Sequence, residues 1–532
     1  MKTKLFNYLF ISLFLSFISC SKEVSDKKNS SSHKVTINIH EEPSTLDHRK
    51  ARLNFDYNTI RTFNDGLFRT DKNGKPSPAI AESYTVSQDM KTYVFKLKKT
   101  NWSNGAPLLA HDFIYSWKSA LNKNFPAPNA SLLFAIKNAK EIKEGALPAS
   151  MLGVYADGDF TLVVELERPI PFFIDLLTLP IYFPLSESVD QAYSDWSLCA
   201  EHYICSGPFK MIDWKHKNEI IAIKNEHYWD KDQVKIESMN MVMVDPVTAF
   251  SMQQNGELSW VGAPYSNLPP EALEMLKAAG TLQKDPFLAT NWIRTNTNFT
   301  PLNNTDFRHS LAFAINRNDI TQHVLQGEGI VATGIVPISM GIQEKPYFSD
   351  NDEKKAVEFL ASALKQMNLT KETLPVLKLT FACTENNEKV ATAIQDNWRK
   401  VLGINVILEP VESKIYIDKI GKGDYQLACG RWGADFNDPI SFLDVFKTRS
   451  SGTNNTGWES PDYISAIEDT YKYMDFEMRK SGLAKAEQIL INDMPVIPVY
   501  HFTMLHVQDP SLKDVILTQC GEIDFKYAYF NK

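Results

Sequence analysis

Cysteine is scarce in this chain: 532 residues contain six, and none lies in a CxxC pair. One of them, Cys20, closes an apolar run, and the other five cannot all pair within one chain. A disulfide-built scaffold is therefore excluded. Cys199 and Cys205 are near enough in sequence to bond if geometry allows. Apolar stretches of bilayer length are missing beyond the first twenty residues, since none approaches the ~18 residues of a spanning helix. Positive charge is not in excess either. The formal net charge is −8, which argues against a nucleic-acid partner, because such partners need a basic surface. HExxH, GxSxG, SxxK with a following KTG, and the P-loop are all absent. The usual nucleophile, zinc-protease and phosphate-cradle chemistries thus have no motif here, which favours binding over catalysis.

What is present begins with "MKTKLFNYLFISLFLSFISC". Lys2 and Lys4 precede an apolar run from Leu5 to Ser19, too short to span a bilayer, that stops at a small residue followed by Cys20. This resembles a bacterial lipoprotein signal, with residues 1–19 removed and Cys20 becoming the lipid-modified N-terminus. Loss of Lys2 and Lys4 would move the net charge from −8 to −10. Residues 20–33 are polar and read as a tether between membrane and folded protein.

At this length roughly three domain-sized units, or two large lobes, are expected. Val35, Ile37 and Ile39 alternate with the period of a half-buried strand, as do Tyr93, Phe95 and Leu97. "TDFRHSLAFAINRNDITQHVLQG" predicts one amphipathic helix with an Asp/Thr cap, ending at Gly327. "EKVATAIQDNWRKVLG" places Val390, Ile394, Trp398 and Leu402 on one helical face. Strand-like "LKLTFAC" before it and "INVILEPV" after it complete a strand–helix–strand unit, so the later part is α/β with a mixed or parallel sheet. Residues 461–493 predict a long helical segment before the apolar strand "PVIPVYHF".

His40, Glu41, Glu42, Asp47 and His48 invite a metal reading, but Pro43 interrupts them and no His pair follows. A solvated passage from strand to loop is favoured. Most large aromatics are core. Trp117 is predicted to be packing, while Trp292 and Trp432 each end a strand-like run beside polar residues and are the better cleft candidates. In "GRWGADFNDP", residues 430–439, Asp435 follows Trp432 by three positions, between Gly433 and Asp438-Pro439.

Seven collinear blocks then carry a resemblance across residues 34 to 530. They are "PSTLDHRK", "FNDGLFRTDKNGKPSPAIAESY", "NWSNGAPLLAHDFIYSWKSAL", "SGPFKMIDW", "NEHYWD", "FRHSLAFAINRNDI" and "RWGADFNDPISFLDVF". The chain resembles the extracytoplasmic solute-binding proteins of oligopeptide and dipeptide ABC transporters. The resemblance implies an α/β, periplasmic-binding-protein-like fold of class II, cluster C type: two lobes joined at a hinge, with an additional domain. It places a discontinuous first lobe at 34–64, 206–288 and 501–532, the additional domain at 65–205, and the second lobe at 289–500. It implies closure over ligand at the hinge.

The same resemblance implies a non-catalytic receptor, without cofactor, for short peptides. It would be an expected monomer on the outer side of the inner membrane, in the periplasm, lipid-anchored at Cys20, and would deliver peptide to ABC permease membrane subunits. Asp435 falls on the family's carboxylate for the peptide amino terminus. Arg431, Trp432 and Gly433 fall on the strand edge that peptide joins. Phe287 and Trp292 align with aromatic pocket positions, and Asn54 with a contact in the first loop. Arg294 and Arg52 stand where the family carries Glu. Arg binds carboxylates in bidentate fashion, so acidic peptides or a muropeptide are alternative ligands. Relatives of this fold also bind nickel chelates or haem, but such a ligand gives Asp435 no amine to meet.

Overall fold

The computed structural model describes residues 33–450 and 452–531. The signal segment, Cys20 and all of the tether before His33 lie outside the described residues. Two strands of thirteen residues each, Gln283–Thr295 and Val496–Gln508, run antiparallel through the middle of one eleven-stranded sheet. From one end of this pair spreads a wing made of Trp260–Gly262, Lys34–Asn38, Ser238–Val242, Glu219–Lys224 and Phe209–Lys215. From the other end spreads a second wing made of Leu427–Gly433, Leu377–Ala382 and Val406–Val411. Gly329–Val331 adds to the edge of Val496–Gln508.

The expected alternation is realised in Lys34–Asn38, where Val35 and Ile37 are wholly buried between parallel neighbours 238–242 and 260–262. The strand–helix–strand unit is also present. Leu377–Ala382 and Val406–Val411 pair in parallel, joined by the helix Glu385–Leu402. That helix starts because Thr384 accepts a hydrogen bond from Asn387 N, and stops because Gly403 takes the left-handed conformation, φ 70°. Its face of Val390, Ile394, Trp398 and Leu402 is buried on the sheet, and Trp398 donates to Leu311 O at 2.9 Å.

A separate four-stranded antiparallel sheet joins Ala81–Val86, Thr92–Leu97, Thr161–Glu165 and Val154–Ala156. The helix Ala110–Ala120 lies with it. Trp117 is packing, as its helical spacing predicts: it is fully buried, donates to Tyr182 O at 3.0 Å and meets Phe113 and Tyr182 edge-on.

Two sequence expectations are corrected, and the open question of a Cys199–Cys205 bond is answered. The helix predicted up to Gly327 breaks. Thr305–Phe313 ends, Asn316 caps a new turn Arg317–Asp319, and a wider turn Ile320–Val324 follows. The break directs Arg317 into the core, where it donates to Ala312 O and Pro498 O and pairs with Asp350 at 3.1 Å. The segment 461–493 is two helices, Pro461–Thr470 and Phe476–Asp493, because Asp475 caps a second start by accepting from Met478 N. Cys199 and Cys205 are both free thiols.

The four-stranded unit also reaches the second wing. Phe172 stacks on Phe436 at 5.1 Å, Arg168 pairs with Glu468 at 3.0 Å, and Asn437 donates to Gly74 O at 3.0 Å. Behind Phe436, the buried carboxylate of Asp438 receives both Nη groups of Arg479, at 2.6 and 3.0 Å. This buried pair ties the 434–439 turn to the helix Phe476–Asp493. Arg479→Met strands the Asp438 charge in the interior and is expected to lower stability by about 3–5 kcal/mol, read from the urea unfolding midpoint.

Candidate functional site

The strand Leu427–Gly433 has two edges, and only one is fully used. Along that edge Leu427 to Gly433 pair with Thr295 to Ala289. On the other edge Leu379–Phe381 pair only with Leu427–Cys429. Gly430, Arg431, Trp432 and Gly433 therefore keep one edge with no strand partner among the described residues.

The strand then ends against a defect in its neighbour. Between Pro286 and Thr290 the two long strands lose register, so Leu288 does not bond along the ladder there. Its N–H instead donates to Gln519 O at 2.8 Å, and its carbonyl accepts from Ala434 N at 2.8 Å. One residue thereby pins the 517–522 loop on one side and the start of the Asp435 turn on the other. Ser441 closes that turn by accepting from Asp435 N at 3.0 Å and, through its carbonyl, from Trp432 Nε1 at 2.8 Å.

The Asp435 side chain opens into a recess walled by Asn54, Tyr57, Arg61, Leu132, Pro180 and Cys520. It has no hydrogen bond or ion pair among the described residues. Arg61 does not serve it, being paired with Glu522 at 2.6 Å. Although the carboxylate faces the solvent of the recess, the surrounding protein removes much of its hydration and pushes its pKa up to about 6. The site thus presents an anion without a cation. Asn54 begins the helix Asn54–Phe63 and is exposed, with Nδ2 3.4 Å from Cys520 O. Phe287 is half-buried, and its ring lies over Gly521, as does Asn54 Nδ2. A Cβ on Gly521, whose φ is +75°, would stand 3.1 Å from Phe287 and 3.8 Å from Asn54 Nδ2. Glycine is needed there for backbone and space alike.

The other sequence candidates part company. Trp292 is not a cleft residue: it is wholly buried with its ring against Phe446 at 5.5 Å, because its face of the strand points into the core. Trp432 is half-buried and Arg431 and Gly433 are exposed on the free-edged strand. Arg52 is exposed, lines neither the recess nor the larger cavity, and has no ion pair among the described residues. Arg294 is buried, 7% exposed, beneath the helix Ser413–Lys422.

Sequence reading missed the larger cavity of about 540 Å³, whose walls include Lys72, Lys75, Asp175, Asp285, Phe436 and Glu477. Cys520 and Glu522 line both it and the recess. Desolvation, with Asp438 nearby, pushes Asp175 up to about 7. The walls of this cavity come from strands, helices and loops of distant parts of the chain, and no local pattern in the sequence brings them together.

The His40–His48 groups do not converge. Asp47 holds Arg49 at 2.9 Å, His48 bonds Ser116 at 2.9 Å, and Glu42 accepts from Trp214 at 3.1 Å. Asp195, Cys199 and His202 do gather within 4.8 Å of one another, a grouping the sequence reading passed over. His202 Nδ1 already stands 3.2 Å from Asp195 and 3.4 Å from Cys199, so these groups satisfy each other.

A carboxyl whose pKa is raised by folding destabilises the folded state above that pKa and does nothing once both states are protonated. Asp435→Asn is therefore expected to raise the melting temperature of the ligand-free protein at pH 7.5. The gain should shrink as pH falls through about 6 and be absent below about 4. Scanning calorimetry across pH checks this.

Residues 75–454 match the model of the bacterial extracellular solute-binding proteins, family 5. The chain is 39% identical to the oligopeptide-binding protein OppA of Bacillus subtilis, over 93% of this chain and 92% of that one. It is 32% identical to the dipeptide-binding protein DppE of the same organism, over 94% and 93%. Among solved structures, Haemophilus influenzae OppA in complex with the peptide RPPGFSPFR superposes with a TM-score of 0.77 at 28% identity, over 94% of this chain and 99% of that one. The unliganded open form of the murein tripeptide binding protein MppA gives 0.80 at 24% identity over 94% and 98%, a likeness of fold.

Proposed function

The chain belongs to the bacterial extracellular solute-binding proteins of family 5, and from that premise we propose that it is the peptide receptor of an ABC transporter. It takes up short peptides outside the cytoplasmic membrane and hands them to the permease, without transforming them. The single observation that carries this reading is the Asp435 carboxylate, without a partner among the described residues, at the end of the free strand edge Gly430–Gly433. A peptide's main chain completes such an edge whatever its side chains, so affinity depends little on sequence. Its free amino terminus is a cation below pH ~8 and meets a carboxylate that has lost part of its hydration. In such a place a charge-assisted bond is stronger than in water.

The two long strands serve as the hinge in this reading, with lobes at 34–64, 206–288 and 501–532 on one side and 289–500 on the other. The unit at 65–205 belongs to the additional domain. The monomeric protein is tethered through a lipid on Cys20, and the polar residues that follow give it reach.

Titration calorimetry with tri- to pentapeptides tests the proposal. Free-amine peptides are expected to bind wild-type protein tenfold to a hundredfold more tightly than their N-acetylated forms. Asp435→Asn should erase that difference. Equal affinity of both forms for the wild type would remove the amino-terminal anchor. Because the anchor works only with Asp435 charged, affinity should fall as pH drops below about 6. It should fall again above about 8, as the ligand amine deprotonates.

A further inference from the structure

Between the helix Glu187–Ala192 and the strand Phe209–Lys215 the chain turns through Asp195, Cys199 and His202. Both flanks of this turn are fastened. Trp196 is buried, donates to Asp190 Oδ1 at 2.9 Å and stacks on Tyr203. Tyr203 is buried too, and its hydroxyl accepts from Asn64 Nδ2 at 2.7 Å. Leu198 N donates to Asp195 O at 2.8 Å, and Ser197 O accepts from Leu46 N at 3.3 Å. The ring of His202 lies flat against that of Tyr193, with centroids 3.8 Å apart and planes 15° from parallel. The imidazole is therefore held in one orientation, with Nδ1 turned toward Asp195 and Cys199.

A carboxylate oxygen, a sulfur and an imidazole nitrogen thus gather within 4.8 Å of one another, a mixed set of metal-binding atoms. Bonds of ~2.1 Å to nitrogen or oxygen and ~2.3 Å to sulfur give a zinc tetrahedron N–O edges of about 3.4 Å and N–S edges of about 3.6 Å. His202 Nδ1 stands 3.2 Å from Asp195 Oδ1 and 3.4 Å from Cys199 Sγ, so two edges already have nearly the zinc lengths. Asp195 is exposed, which leaves its carboxylate room to rotate and complete the third edge. Metal binding needs Nδ1 without a proton and Cys199 as a thiolate. The Nδ1 proton passes to Nε2 by way of solvent, and the thiol proton passes to water.

We propose that Asp195, Cys199 and His202 bind one divalent cation of the zinc class per chain, with the fourth position left to water. A thiolate in the set disfavours Mg²⁺ and Ca²⁺, which take oxygen ligands. None of the three residues lines the recess at Asp435 or the larger cavity, so the site stands whether or not the receptor reading holds. The turn immediately precedes the segment that enters the eleven-stranded sheet at its end strand, Phe209–Lys215. A bound ion ties residue 195 to residue 202 in the folded chain only, and so stabilises this entry into the sheet.

The test is calorimetric titration of the untagged, chelator-treated protein with zinc chloride. One ion per chain is expected, with a dissociation constant on the order of micromolar or tighter, insensitive to excess Mg²⁺, and with a rise in melting temperature. Cys199→Ser and His202→Gln should each weaken binding tenfold or more. Cys383→Ser, which removes an exposed thiol elsewhere, should leave it unchanged. Cobalt(II) in place of zinc reads the ligands on the wild type without any variant: a thiolate-to-metal charge-transfer band and the visible bands of a tetrahedral ion are expected. Absence of zinc binding, displacement of zinc by Mg²⁺, or equal binding by wild type, Cys199→Ser and His202→Gln overturns the site. A cobalt spectrum without the thiolate band overturns it as well.

Discussion

The site depends on one interruption in a sheet. The long strands Gln283–Thr295 and Val496–Gln508 hold the two wings together, and a continuous ladder would have used every backbone group along them. At Leu288 the ladder slips, and the freed N–H and C=O are satisfied by Gln519 and Ala434. Buried backbone groups must find partners, so this defect fixes the positions of two loops, both bonded to Leu288. It places Asp435 opposite the helix Asn54–Phe63, and it places the 517–522 loop between the recess and the larger cavity. The Asp438–Arg479 pair then anchors the far side of the same turn.

The second feature is the pattern of satisfied and unsatisfied charge. Several buried ions are served: Arg49 by Asp47 and Asp190, Arg317 by Asp350 and carbonyls, Arg479 by Asp438. Against those pairs Asp435 stands out, because its carboxylate has no partner among the described residues and desolvation raises its pKa. It lies at the end of the free strand edge. A protein that binds nothing gains nothing from such a group, and replacing it with a neutral side chain would relieve a cost. A ligand carrying a cation at one end and unpaired amides behind it removes both deficits together.

The parts that sequence made legible are those with a period or a cap. The alternation of Val35, Ile37 and Ile39, the helical face of Val390 to Leu402, and the Gly403 stop all stand as read. The helices around Arg317 and Asp475 were not legible as breaks, because tertiary partners of those residues decide where the chain turns. Asp435 could be singled out from its local motif, since Gly433 and Asp438-Pro439 mark a strand ending in a turn. Trp292 was misplaced because alternation along a strand gives two faces and does not say which one meets the core. The cavity walls at 70–76 and 517–522 come from segments far apart in sequence, and only the fold brings them together.

The most direct check is native mass spectrometry of the purified protein mixed with an equimolar library of tri- to hexapeptides and their N-acetylated counterparts. The account expects one peptide per chain, drawn overwhelmingly from the free-amine members and little influenced by side chain. Equal retention of acetylated and free members, or no retention of any peptide, would contradict it.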